Sequence, residues 1–230
     1  MKIKDLYVLF GAIAFFLPFF LFESFYQWYN DFTMNHAFIM SFIKFAILAT
    51  FGESIGSRIK TGNYLNKGFG LIPRAVIWGL LGITIKISFD VFTGGTLYFL
   101  TKAGYSEASA VFSSSGFSMG KLGVAFCISF FLNTVYAPFM MTLHKITDMH
   151  IGVHNGTLKA LYSPIAFGHH MSTLNWKVQW GFVFKKSIPL FWIPMHTITF
   201  ILPENYRVLF AALLGIALGI ILAIASNKSK

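Results

Sequence analysis

Cysteine occurs once in 230 residues, at Cys127. A lone thiol makes neither an internal disulfide nor a thiolate metal cage. Its setting, Cys127-Ile128-Ser129-Phe130-Phe131, is apolar. Reactive thiolates need an electropositive, partly exposed environment, so this one reads as an inert packed side chain. Charge is scarce too: Asp, Glu, Lys and Arg make up 11% of the chain, against about a quarter in an ordinary soluble domain. This excludes a water-covered multi-domain enzyme, a coiled coil and a disordered tail protein. No P-loop, dinucleotide fingerprint or nucleophile elbow is present. Ser113-Ser114-Ser115-Gly116 offers hydroxyls without a base beside them and reads as a flexible loop. The expectation is therefore no enzyme and no cofactor.

What is abundant is apolar surface: 56% hydrophobic residues, 28 of the residues Phe, and a mean hydropathy of +0.66. A transmembrane helix needs about 20 largely apolar residues. Windows of that kind lie at 6–22, 37–59, 71–92, 122–141, 182–202 and 208–225. The predicted fold class is thus all-α: one polytopic membrane domain, 1–230, with about six transmembrane helices packed as a bundle. The bulky sequence Phe22-Glu23-Ser24-Phe25-Tyr26 offers no signal-peptide cleavage site, so 6–22 reads as an uncleaved first helix. Pro138 predicts a kink or an end in the fourth span, and Pro189 with Pro194 a broken or bent fifth. The segment after the third span, with Gly94-Gly95, reads as a loop whose 96–100 stretch dips into the interface. The only stretch long enough for an extramembrane feature is 142–178.

The net charge of +10 resembles a nucleic-acid signal only until the basic residues are placed. With both termini cytoplasmic, Lys102, Lys121 and Arg207 fall outside, and Lys44 and Lys86 within spans. The other 13 of the 18 Lys and Arg then fall inside. That asymmetry is the positive-inside rule, and it assigns the charge to orientation in a membrane rather than to nucleic acid. The expected location is a bacterial inner (cytoplasmic) membrane, or an organelle membrane in a eukaryotic host.

Ionisable residues at membrane depth are costly and carry a functional hypothesis by default. Lys86 and Asp90, four apart, share a helix face on which Ala75, Gly79 and Gly82 precede them. Small residues followed by a charge pair suit either a gated polar pathway or an ion pair at the interface with Lys86 snorkelling. Lys44 and Glu53 are nine residues apart, about half a turn out of phase, and cannot pair with each other. Each needs a partner on another helix, an interface or water. Asn133 joins these four as a candidate lining residue.

Histidine suggests a metal. His144, Asp148, His150 and His154 lie in one inside segment, and His150 with His154 has the i, i+4 spacing of a chelating pair. The motif His150-Ile151-Gly152-Val153-His154 lacks the metalloprotease glutamate, and Gly152 weakens a helix there. His144 lies about 240° round from His150 and faces elsewhere. These are weak candidates, no metal is assigned to them, and surface or interfacial histidines are the plainer reading.

Ala211, Gly215, Gly219 and Ala223 recur every four residues along the last span. Such a stripe lets helix backbones touch, within the chain or in a homo-oligomer. Trp28, Trp176, Trp180 and Trp192 read as belt anchors at the membrane interfaces.

The order of several short motifs resembles the Mpv-seventeen and peroxisomal 22-kilodalton membrane protein family, over roughly 46–225. Gly52-Glu53-Ser54-Ile55 is similar to the family's Gly-Asp element. Arg74, Gly79, Gly82, Phe89-Asp90 and Gly94-Gly95 resemble its Arg, glycine-rich helix and Leu-Asp segment. Asn133 through Ala137-Pro138 looks like its Asp-Gln with a following proline, and Leu202-Pro203-Glu204-Asn205-Tyr206-Arg207 like its turn before the last helix. The aromatic pair before Asp90 is missing, and the family's Trp-Pro-x-x-Gln element is only echoed by Trp192-Ile193-Pro194. The resemblance implies a non-enzymatic helical membrane protein acting as a channel or solute pathway. It places Glu53, Arg74, Asp90, Asn133 and Arg207 at family positions.

The leading expectation is a channel or transporter-like protein for a small solute or metabolite, its path lined by Glu53, Lys86, Asp90, Asn133 and Lys44. The alternatives are a structural membrane protein that scaffolds partners or copies of itself through its last helix, and a membrane-embedded enzyme using the inside histidines.

Overall fold

The computed structural model describes residues 3–228, and side chains as far as Ile221. Among the described residues all regular structure is helical: α1 (Ile3–Leu21), α2 (Glu23–Asn35), α3 (Ala37–Thr61), α4 (Leu71–Lys102), α5 (Ala108–Ser113) and α6 (Met119–Phe131). A π-helical turn, π1 (Leu132–Tyr136), leads into α7 (Ala137–Val153). Then come α8 (Lys159–Tyr162), α9 (Phe167–Thr173), α10 (Trp176–Val178), a second π segment π2 (Gln179–Trp192), α11 (Ile193–Ile201) and α12 (Glu204–Lys228). The chain divides into two compact units, Met1–Met40 and Ser41–Lys230.

In the first unit α1 turns into α2 at Phe22, whose backbone is extended. The ring of Phe19 meets Phe25 at 4.9 Å and Tyr29 at 5.0 Å, both edge to face. Helix α2 is absent from the sequence expectation because its polar residues keep it out of any 20-residue apolar window.

The second unit is centred on α6 and α11. Val124, Ala125, Ile128 and Leu132 are buried there with Thr199 and Phe200, and Ser129 Oγ donates to the Ile193 carbonyl across the pair at 2.7 Å. Helices α3 and α4 approach closely because α4 presents no side chain where they cross. A Cβ at Gly79 would overlap the Phe42 ring, and one at Gly82 would lie 2.6 Å from the Ser41 carbonyl oxygen. Glycine at both positions lets the two backbones come together, as small residues do between membrane helices.

Among the described residues, five helices are long and apolar enough to cross a membrane: Ile3–Leu21, Ala37–Thr61, Leu71–Lys102, Met119–Val153 and Glu204–Ile221. The chain thus has the build of an integral membrane protein. Five of the six expected windows, 6–22, 37–59, 71–92, 122–141 and 208–225, fall on these helices with similar starts, but two helices run further than expected. Helix α4 continues through Gly94-Gly95 for 32 residues, about 48 Å at 1.5 Å per residue, because glycine is tolerated in apolar helices of this kind. Pro138 neither ends nor breaks its helix. The wide turn π1 directly before it absorbs the missing N–H and the ring clash. The window 182–202 is helical but is not among the five: Lys185, Lys186 and Ser187 dilute it, and its first part is π-helical around Pro189.

Candidate functional site

The site starts from a charge that has to be compensated. Glu53, two turns from the end of α3, faces the start of α4, where Arg74 and Trp78 sit one turn apart on one side. Trp78 Nε1 donates to Glu53 Oε1 at 2.8 Å. Arg74 Nη1 donates to Glu53 Oε2 and also to Asp148 Oδ1 of α7. Its Nε donates to the Phe69 carbonyl at 2.6 Å, and the guanidinium lies over the Phe69 ring at 5.0 Å. His144, one turn before Asp148, completes the group: its Nε2 is 3.2 Å from Glu53 Oε1 and 3.9 Å from Asp148 Oδ2, and its ring lies 4.2 Å from that of Trp78. Three helices are thus tied at one point by two carboxylates, one guanidinium and one imidazole.

Glu53, His144 and Asp148 each offer a ligand atom, all within 4.8 Å of one another. The donor set alone suits a divalent cation. Arg74, however, already donates to both carboxylates and supplies the positive charge the pair requires. A metal ion placed between them has to displace a guanidinium held by a backbone carbonyl as well. The arrangement therefore suits an internal salt bridge better than a metal centre.

The other two histidine candidates lie apart from this group. His150 Nε2 donates to the Ala160 carbonyl at 3.1 Å, and its ring stands edge to face with His154 at 4.6 Å and with His170 at 6.0 Å. His150 and His154 do not join His144 and Asp148, in keeping with the 240° separation of His144 from His150.

Above the cluster opens a cavity of about 620 Å³, within the usual range for ligand pockets. Its lining runs from Lys60, Arg74, His144, Lys145 and Asp148 at one end to Phe89, Asn133, Trp192 and His196 at the other. The distance from Asp148 to Asn133 along the α7–π1 rod is about 22 Å at 1.5 Å per residue, roughly two-thirds of a bilayer's hydrocarbon core. Between the ends the wall is largely aromatic and aliphatic, with Phe45, Tyr136, Met140 and Phe182, and carries Gln179 and Ser187 as polar groups.

The deep end is a fully buried polar knot. Asn133 Nδ2 donates to the Ser129 carbonyl at 2.8 Å and lies 3.0 Å from His196 Nδ1. Asn133 is 0% exposed. Phe89 closes over it, its ring 5.6 Å from His196 and 5.0 Å from Phe200. Tyr136 shares a 2.7 Å hydrogen bond with Thr84 of α4.

Of the expected lining residues, Glu53 and Asn133 face this cavity, while Lys44, Lys86 and Asp90 do not line it. Lys44 is buried within the second unit. Lys86 does pair with Asp90, at 2.6 Å, and reaches Glu204 of α12 at 3.3 Å. Asp90 and Glu204 are half exposed or more and mark a surface beyond Phe89, while Lys86 reaches them from a buried position. Arg207 donates through Nε to the Leu202 carbonyl at 2.9 Å and covers the Phe112 ring. Ala211, Gly215 and Gly219 line the cavity, and Gly219 also meets the Gly52 backbone of α3. The side chain of Ala223 lies outside the described ones.

Trp78, Tyr136, Gln179 and His196 line the cavity without having been singled out in the sequence. His196 carried a readable signal, an ionisable group inside an apolar run, which Pro189 and Pro194 obscured by marking the segment as irregular.

A scan of the chain against protein-family models finds no match, and neither curated proteins nor solved structures yield a relative.

Proposed function

We propose that this chain is a channel or transporter-like membrane protein that gives a small solute or metabolite a route through its second unit. The observation that carries the proposal is the 620 Å³ cavity with a charged cluster at one end and the Asn133–His196 knot at depth. Polar and ionisable groups at membrane depth are costly and carry a functional hypothesis by default, a solute route among them. In the state described, the route is a vestibule stopped at Phe89, with the Lys86–Asp90–Glu204 trio on the far side. Passage requires Phe89 and π2, the irregular segment beside it, to move.

On this reading 179–201 is a sixth, broken crossing, and both termini share the cytoplasmic side of a bacterial inner membrane. Broken helices of this kind border the sites of several transporters. The motif order, which resembles that of the Mpv-seventeen family, favours the same class. The scaffold alternative loses ground at Gly219 of the small stripe, which lies against the Gly52 backbone inside the chain.

The test is release of radiolabelled acetate, succinate or sorbitol from proteoliposomes. Gly215 borders the cavity and has nothing within 4 Å of the place where a Cβ would stand, so Gly215→Phe projects a ring into open space. Flux that falls at least several-fold in Gly215→Phe and in Glu53→Gln supports the route. Equal flux from both variants and the parent removes it.

A further inference from the structure

The cavity's chemistry narrows its occupant, on the premise that it is a binding space at all. At the charged end, Arg74 pairs with both Glu53 and Asp148, so those three charges leave a net charge of −1 there. Two further cations, Lys60 at the end of α3 and Lys145 on α7, also border the cavity. Neither forms an ion pair or hydrogen bond with another described residue. The mouth is therefore left with an uncompensated positive charge. The long middle of the wall is apolar, and the deep polar groups Asn133 and His196 already bond to each other, which leaves little demand for a polar tail.

We propose that the cavity binds a single-tailed anionic amphiphile, a carboxylate or phosphate head held between Lys60 and Lys145 with an acyl or aromatic body lying along the apolar wall towards Phe89. The volume sets the size. At about 30 Å³ per water-sized group, 620 Å³ holds on the order of 20 non-hydrogen atoms. A medium-chain acid fits, and a two-chain phospholipid is too large to enter whole. A hydrophilic dianion is disfavoured because burying a second charge against Phe45, Met140 and Phe182 leaves it unpaired. Binding energy comes from removing the body from water and from the head's pairing with the lysines, an arrangement in which a neutral head loses its partner.

The experiment uses the full chain in phosphatidylcholine nanodiscs and a dodecanoate carrying a terminal photoreactive diazirine, with crosslinks mapped by mass spectrometry. Expected are crosslinks on cavity residues of α3, π1–α7 and α12, competed by dodecanoate and about tenfold less well by dodecanol. Lys60→Gln with Lys145→Gln, both at exposed positions, should lower labelling by a similar factor, and Gly215→Phe should abolish it. The inference is overturned if dodecanol competes equally, if the double lysine variant labels as the parent does, or if crosslinks fall outside the cavity. Loss of labelling when phosphatidylglycerol replaces phosphatidylcholine overturns the single-tailed class in favour of the bilayer's own anionic lipid. Labelling without any flux of acetate, succinate or sorbitol sinks the route and leaves this site standing. Flux without labelling sinks the site alone.

Discussion

Arg74 holds more of the site together than any other side chain, and its guanidinium explains why. One Nη1 serves two carboxylates from two helices while Nε serves the Phe69 carbonyl. A lysine ammonium carries the charge but not that fork. Truncation leaves Glu53 and Asp148, each about one-fifth exposed, repelling each other without a cation. Removing one partner of a buried pair costs about 3–5 kcal/mol, and the residual exposure reduces this to about 2–3. Arg74→Ala should therefore lower the thermal midpoint in detergent sharply, Arg74→Lys by less, and Arg74→Ala with Glu53→Gln should recover part of the loss. An Arg74→Ala midpoint equal to the parent's contradicts the cluster. At this scale the sequence was half legible. Glu53 announced itself as a charge inside an apolar helix that needs a distant partner. Nothing in the chain told which one, because Arg74 and Asp148 are 74 positions apart and meet only through the fold. Asn133 and His196, 63 positions apart, posed the same problem.

Helices are where periodicity speaks most clearly, and the starts of α3, α4 and α12 fell close to the expected windows. The ends of α4 and of the rod from α6 to α7 did not, because Gly94-Gly95 and Pro138 punctuate soluble helices far more strongly than membrane ones. The same logic separates two classes of glycine in α4. A methyl at Gly82 collides with the Ser41 carbonyl and the Phe45 ring, whereas Gly94 has open space around it. Gly82→Ala should cost about 1–3 kcal/mol through overpacking, and Gly94→Ala should be neutral or add up to about 1 kcal/mol through helix propensity. Thermal unfolding of the two variants checks this, and equal midpoints contradict the close approach of α3 and α4. In α9, which lies outside the spans, burial and the neighbouring His169 and His150 hold the His170 imidazole below its usual range. A depressed pKa means the fold prefers the neutral ring. Its contribution is thus present above about pH 6.5 and lost as pH falls through the folded value. Amide exchange in α9, corrected for its intrinsic rate, should quicken between pH 7.5 and 5.5. Unchanged protection contradicts the packing of His170.

For the whole molecule, composition settled the class early. With 11% charge and 56% apolar residues the chain had to hide its surface in lipid. What composition leaves silent is the space inside. A cavity is a property of side chains that fail to meet, and glycines such as Gly215 that leave it open look in sequence like helix-packing glycines. Two groups expected to line the route, buried Lys86 and exposed Asp90, pair with each other off the cavity, while Tyr136, Gln179 and His196 take places on the wall.

The account depends on the cavity being wet and reachable from the end that carries Lys60 and Lys145. Gly215→Cys, made together with Cys127→Ser so that it is the only thiol, tests this directly. In sealed proteoliposomes of defined orientation, a charged, membrane-impermeant methanethiosulfonate reagent should modify it from that face and not from the opposite one. A thiol that resists the reagent from both faces, in a protein whose thermal midpoint matches the parent's, contradicts the account.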